Sequence, residues 1–106
     1  MKLSQKLTKE SVSPYFDQWA ALAEELSSLH QKRSSGTAPL MLQGLDLLKE
    51  LLAHCNGEVI PMNGKERIQF IEQRPNNYAA FRQLDELFSE MNKKIASKRI
   101  RLKNGS

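Results

Sequence analysis

Apolar side chains recur along this chain at steps of three and four. Tyr15, Trp19, Leu22, Leu26 and Leu29 keep that rhythm, Phe16 and Ala23 widen the stripe, and Glu24, Glu25, Ser28 and Lys32 lie off it. Spacing of this kind gathers apolar groups on one side of a helix, so it predicts an amphipathic helix over residues 14–33. Ser13-Pro14 supplies a start: serine can accept from free backbone N–H groups, and proline lacks a donor that would be unpaired there anyway. Arg33-Ser34-Ser35-Gly36 is turn chemistry and closes the helix.

A second helix is predicted over 38–54, with Thr37 as its cap and Pro39 in its first turn. Met41, Leu45, Leu48 and Leu52 make one row, and Leu40, Leu47 and Leu51 another beside it. So wide an apolar arc marks the most buried element. Gly44 costs roughly 1 kcal/mol against alanine inside a helix, and its expected use is close approach of a neighbour. Asn56-Gly57 ends this helix in a left-handed cap.

Cys55 to Gly64 reads as a loop, in which Glu58-Val59-Ile60 is too short to found a sheet. A short helix over Lys65–Gln73 would present Ile68, Phe70 and Ile71 to the core. Arg74-Pro75 breaks it, because the residue before proline avoids helical angles. Asn76 or Asn77 then caps the last helix, where Phe81, Leu84, Phe88, Met91 and Ile95 step by three, four, three and four. The same count continues to Lys98 and Leu102. The expected fold is all-α: a small up-and-down bundle of three long helices plus one short helix, with a long basic C-terminal helix. Residues 1–12 read as a flexible polar N-terminal arm, 13–103 as one bundle domain, and 104–106 as a flexible tail.

Charge changes this picture at one end. The formal net charge is +4, yet Lys93, Lys94, Lys98, Arg99, Arg101 and Lys103 place six cations in Lys93–Lys103 without an acid. Ten cations against twelve acids remain in residues 1–92, a net of −2. A helix ringed by positive charge can bind phosphates or an acidic partner, since neutralising phosphates releases condensed counterions. The competing role is structural, because cations at a helix C-terminus complement its dipole and last carbonyls. No aromatic follows Phe88, so recognition of single strands by base stacking has little support.

Two further surfaces are candidates. Lys65–Phe88 has a helix–turn–helix outline, in which Asn77, Tyr78, Arg82 and Gln83 would meet base edges. Any two adjoining helices share that outline, and Glu72, Asp85 and Glu86 bring negative charge close. The heptad-like seam on the last helix, Phe88, Met91, Ile95 and Leu102, is either the chain's own core or a self-association face. With about 26 residues, near 39 Å, against about 20 in the first helix, the last helix is expected to outrun the domain beyond Met91.

Residues for chemistry are sparse. His30 and His54 fall in last helical turns, where the dipole favours histidine. His54 and Cys55 are chain neighbours whose side chains diverge by about 100° on a helix, so they make no nucleophile–base pair. Two histidines and one cysteine fall short of a zinc set, and the five glycines match no phosphate loop. Neither a cofactor, a metal nor a small-molecule substrate is expected. Cys55 allows no internal disulfide and reads as a small buried hydrophobe. No apolar run approaches the length of a membrane span, and the polar stretch Met1–Ser13 does not read as a signal peptide, so the cytoplasm is expected. The expected function is a small non-catalytic protein–protein interaction module, adaptor or regulatory, able to dimerise through its C-terminal helix. The alternative is a nucleic-acid-binding accessory protein using Lys93–Lys103.

Overall fold

The structure, a computed structural model, describes residues 2–105. Its elements are α1 (Leu3–Lys6), α2 (Lys9–Gln31), α3 (Ala38–His54), α4 (Gly64–Gln73) and α5 (Tyr78–Gly105), with no strand among the described residues. The all-α bundle therefore stands, with three long helices of 23, 17 and 28 residues, one short helix of 10, and a single added turn.

Side-chain contacts fix the direction of packing. His30 near the end of α2 touches Tyr78 and Phe81 at the start of α5, with ring centroids 5.3 and 5.4 Å apart. Trp19, in mid-helix, stacks on Phe88 at 4.8 Å and 8°. Arg99 Nε donates to the Leu7 carbonyl at 2.7 Å. As numbers fall along α2 they rise along α5, so the two helices are antiparallel. The molecule is elongated, 49 × 25 × 18 Å.

Trp19, Leu26, Met41, Leu45, Leu48, Leu51, Ile71, Leu84, Leu87, Phe88, Met91 and Ile95 form one continuous core. Gly44 meets its expected use in a specific way. A Cβ built there would lie 2.5 Å from Trp19 Cζ3, so the missing side chain makes room for an indole. The indole Nε1 donates to Asp85 Oδ1 at 3.0 Å, which satisfies the one polar atom of this buried side chain.

The ends of the chain differ from expectation. Residues 1–12 are not a loose arm over their described part. Thr8 Oγ1 accepts from the Ser11 backbone N–H at 3.2 Å and starts α2 five residues before Ser13-Pro14. Pro14 lies exposed inside the helix, where it forgoes one backbone hydrogen bond near the N-terminal end. Leu7 and Val12 are buried, at 0% and 2% exposure, and Leu3 packs against the core. The physical reason is the same apolar spacing as elsewhere: Leu3 and Leu7 are one turn apart and face the last turns of α5. The expected tail is corrected too, since α5 continues through Gly105; Ser106 and Met1 lie outside the described residues.

Turn chemistry follows the sequence with two departures. Asn56 and Gly57 take left-handed angles (φ 55 and 71) as expected. The first long helix ends instead on a left-handed Arg33 (φ 56), with Ser34 N–H bonded to the Leu29 carbonyl at 2.9 Å, and Gly36 is not used. Thr37 stands at the N-cap of α3, yet its buried hydroxyl does not cap the helix. It bonds to Asn76 Oδ1 at 3.2 Å and so ties the α2–α3 turn to the α4–α5 turn.

Candidate functional site

The folded N-terminus changes the basic end of the molecule. Antiparallel packing sets residues 2–10 beside the last three turns of α5, with α1 in contact with α5. Lys2, Lys6 and Lys9 thereby join Lys93, Lys94, Lys98, Arg99, Arg101 and Lys103 at one pole. These two stretches hold nine of the sixteen cations and one of the twelve acids, Glu10. Their net charge is +8, and the rest of the chain carries −4. A cluster of this sign over one end of an elongated body sets up a directional field for anions.

The six C-terminal cations divide into two groups. Lys94 donates to the Ile60 carbonyl at 3.0 Å and pairs with Glu90 at 3.6 Å, while Arg99 holds the Leu7 carbonyl. These two fasten the loop after α3, and α1, onto α5. Lys93, Lys98, Arg101 and Lys103 have no carboxylate within ion-pair distance among the described residues. Lys98 and Arg101 line a shallow groove with Glu58, Val59, Ile60 and Ser97.

The proposed base-reading turn does not assemble. Asn77 Oδ1 accepts from the Ala79 N–H at 2.6 Å and caps α5. Tyr78 is 57% exposed but leans its ring on His30 and Phe81. Gln83, with its amide oxygen turned to the guanidinium, accepts from Arg67 Nε and, at 3.1 Å, from Arg67 Nη2. Arg82 alone is exposed without such a contact. The residue types suit base edges, but folding has committed most of them elsewhere.

The seam is likewise consumed by the chain itself. Phe88, Met91 and Ile95 are 2%, 0% and 0% exposed, and Leu102 packs against the same core. The expected protrusion beyond Met91 is absent because α1 and Leu7 cover it. Self-association through this face would require opening the fold.

Groups with chemical potential serve as fasteners. His54 Nε2 is 2.7 Å from the Lys6 carbonyl, and Lys6 Nζ donates to Asn56 Oδ1 at 3.2 Å, so α1 is held from a second side. Cys55 is fully buried, and burial pushes its thiol pKa up, with Lys6 opposing in part. That favours the inert thiol over the thiolate nucleophile. His30 Nε2 is buried without a hydrogen-bond partner, between Tyr78 and Phe81. No group of three His, Cys, Asp or Glu among the described residues is placed to hold a metal. No helix among them is long and apolar enough to cross a membrane.

One cluster shows in the sequence only through the i,i+4 spacing of Glu90 and Lys94, which do pair at 3.6 Å. Glu90 Oε2 accepts from the Met62 N–H at 2.6 Å, and Oε1 from Arg67 Nη1 at 3.1 Å. Arg67 also donates to the Met62 carbonyl at 2.8 Å. Burial alone would raise the Glu90 pKa, but the Met62 N–H, Arg67 and Lys94 together hold it below the ordinary carboxylate value. The cluster locks the α3–α4 loop to α4 and α5. Its members are 23 and 28 positions apart, and no local motif announces them. The locked loop presents Ile60 and Met62, 62% and 70% exposed, and Ile60 and Pro61 border an open cleft of about 640 Å³ between α3 and α4. Leu52 and Ile68 line its floor.

Among curated proteins and among solved structures, none matches the chain. The family of YpoC-like proteins matches it over residues 9–103, from the first residue of α2 to the basic turns of α5, and the chain belongs to that family.

Proposed function

We propose that the protein is a non-catalytic binding module that works through its basic pole on the phosphate backbone of a nucleic acid. The observation that carries this is the joining of residues 2–10 and 93–103, whose formal charges sum to +8 against −4 for the rest of the chain, with Glu58 and Glu90 the acids beside them. Lys93, Lys98, Arg101 and Lys103 are the cations free to meet phosphates, while Lys94 and Arg99 hold the pole together. Neutralising four phosphates would make affinity fall on the order of a hundredfold between 50 and 200 mM salt.

The test is fluorescence anisotropy of the full chain with labelled oligonucleotides across that salt range. A steep slope that lessens by about 0.9 per cation removed, in Lys98→Gln and Lys103→Gln, supports the proposal. A flat response, or no binding at low salt, rejects it.

A second reading is a protein-interaction module acting through the α3–α4 cleft. The exposure of Ile60 and Met62 beside an apolar floor favours it. Captures from nuclease-treated lysate by the native chain and by an Ile60→Asp, Met62→Asp variant compare the two directly. Identical captures dispose of that reading.

A further inference from the structure

The basic pole has a shape as well as a sign. At about 100° per residue, Met91, Ile95 and Leu102 fall within about 40° of one another on the buried side of α5. Lys94, Lys98 and Arg101 then lie within about 60° on one flank, and Arg99 and Lys103 within about 40° on the other. Between the flanks, opposite the core, runs a crest of Lys93, Ser97 and Ile100, all exposed. Ile100 is 59% exposed and is the one large apolar side chain of Lys93–Lys103 turned to solvent to that degree.

We propose that the last three turns of α5 enter the major groove of duplex DNA, with flank cations on the two phosphate strands and Ile100 against a thymine methyl. The inference rests on the phosphate-binding function proposed above and adds the groove, the kind of duplex and the reading residue. A helix with side chains is 10–12 Å across, and the B-DNA major groove is about 12 Å wide. Residues 93–103 span about 15 Å of axis. Lys98 and Arg101 reach one strand and Lys103 the other, so both walls of the groove are met by cations. The crest holds no acid; on the Lys94–Lys98–Arg101 flank, Glu90 pairs with Lys94 at 3.6 Å and Glu58 lines the groove shared with Lys98 and Arg101. Among thymine's edge groups in that groove, the C5-methyl is the one an isoleucine can contact by burial alone. Duplex RNA hides its deep, narrow major groove from side chains and lacks that methyl. Residues 2–10 and 93–103 contain no aromatic, so stacking on single strands is not offered.

Anisotropy of the full chain is measured on three labelled duplexes of equal length. One alternates dA and dT, the second has deoxyuridine in place of thymidine, and the third is RNA. The expected order is the thymine duplex first, the deoxyuridine duplex about fourfold weaker for loss of a buried methyl, and RNA weaker on the order of tenfold. In Ile100→Gln, whose site is exposed and leaves the core intact, the thymine and deoxyuridine duplexes become equal while the salt slope is kept. RNA bound as tightly as DNA, or equal affinity of the native chain for thymine and deoxyuridine duplexes, overturns the groove proposal and leaves backbone binding standing. Failure to bind any of the three at low salt overturns both.

Discussion

The two halves of α5 share one seam and differ in everything that surrounds it. Over Tyr78–Met91 the seam is aromatic, with Phe81 and Phe88 against Trp19 and a glycine on α3 shaped to admit the indole. Over Lys93–Lys103 the seam is aliphatic, with Ile95 and Leu102 under a single turn of helix and Leu7. The first half is covered by long helices and carries acids such as Asp85 and Glu86. The second is covered by residues from the other end of the chain and by the loop after α3, and its only charged residues are cations. Spacing reveals that a face is buried. It does not reveal what covers it.

Substitutions can break this contrast. Trp19→Ala should have the largest effect, about 3–5 kcal/mol, because it opens a cavity where three helices meet. Urea unfolding should show it, and a loss under 1 kcal/mol would mean the aromatic half is not the centre of stability. Leu7→Ala should cost roughly 2–3 kcal/mol by opening a cavity in the core at the end where α1 meets α5. Amide exchange on Ile95 and its neighbours should speed up in that variant, whereas a truly flexible arm would leave both stability and exchange unchanged.

Glu90→Gln sharpens the comparison where the halves join, and about 1 kcal/mol should be lost with its charge-assisted bonds. The folded pKa of Glu90 is below its ordinary value of 4.5, so its contribution is present above that value and lost as pH falls through the lowered one. Denaturation below about pH 4.5 should therefore weaken the native chain more than Glu90→Gln. Parallel curves would remove the carboxylate from the account. Lys98→Gln with Arg101→Gln should be the mildest, within about 0.5 kcal/mol, since neither side chain has an ion-pair partner to lose. A clear drop in melting temperature would make these cations structural.

Much of the fold is legible in the chain because it is local. The limits of α3 and α4, the Asn56-Gly57 cap, the burial of Cys55 and the use of Gly44 all follow from spacing and turn chemistry. The N-terminus was not legible. Ser13-Pro14 resembles a start, and nothing local says that Thr8 is the better one or that Leu3 and Leu7 find α5 some ninety residues away. The Glu90–Arg67–Met62 cluster is hidden for the same reason. Of the candidate surfaces, the basic residues were visible by composition, but their union with Lys2, Lys6 and Lys9 needed the antiparallel register. The base-reading turn was suggested by residue type and dissolved once capping and packing had used Asn77 and Gln83.

Trp19 is the only tryptophan in the chain, and the fold encloses it between Phe88 and Gly44 with its Nε1 on Asp85. The protein thus carries its own optical gauge. Its emission should shift when the aromatic core loosens and stay constant when charge at the far pole is titrated, altered or occupied, so integrity and occupancy can be followed separately in one cuvette.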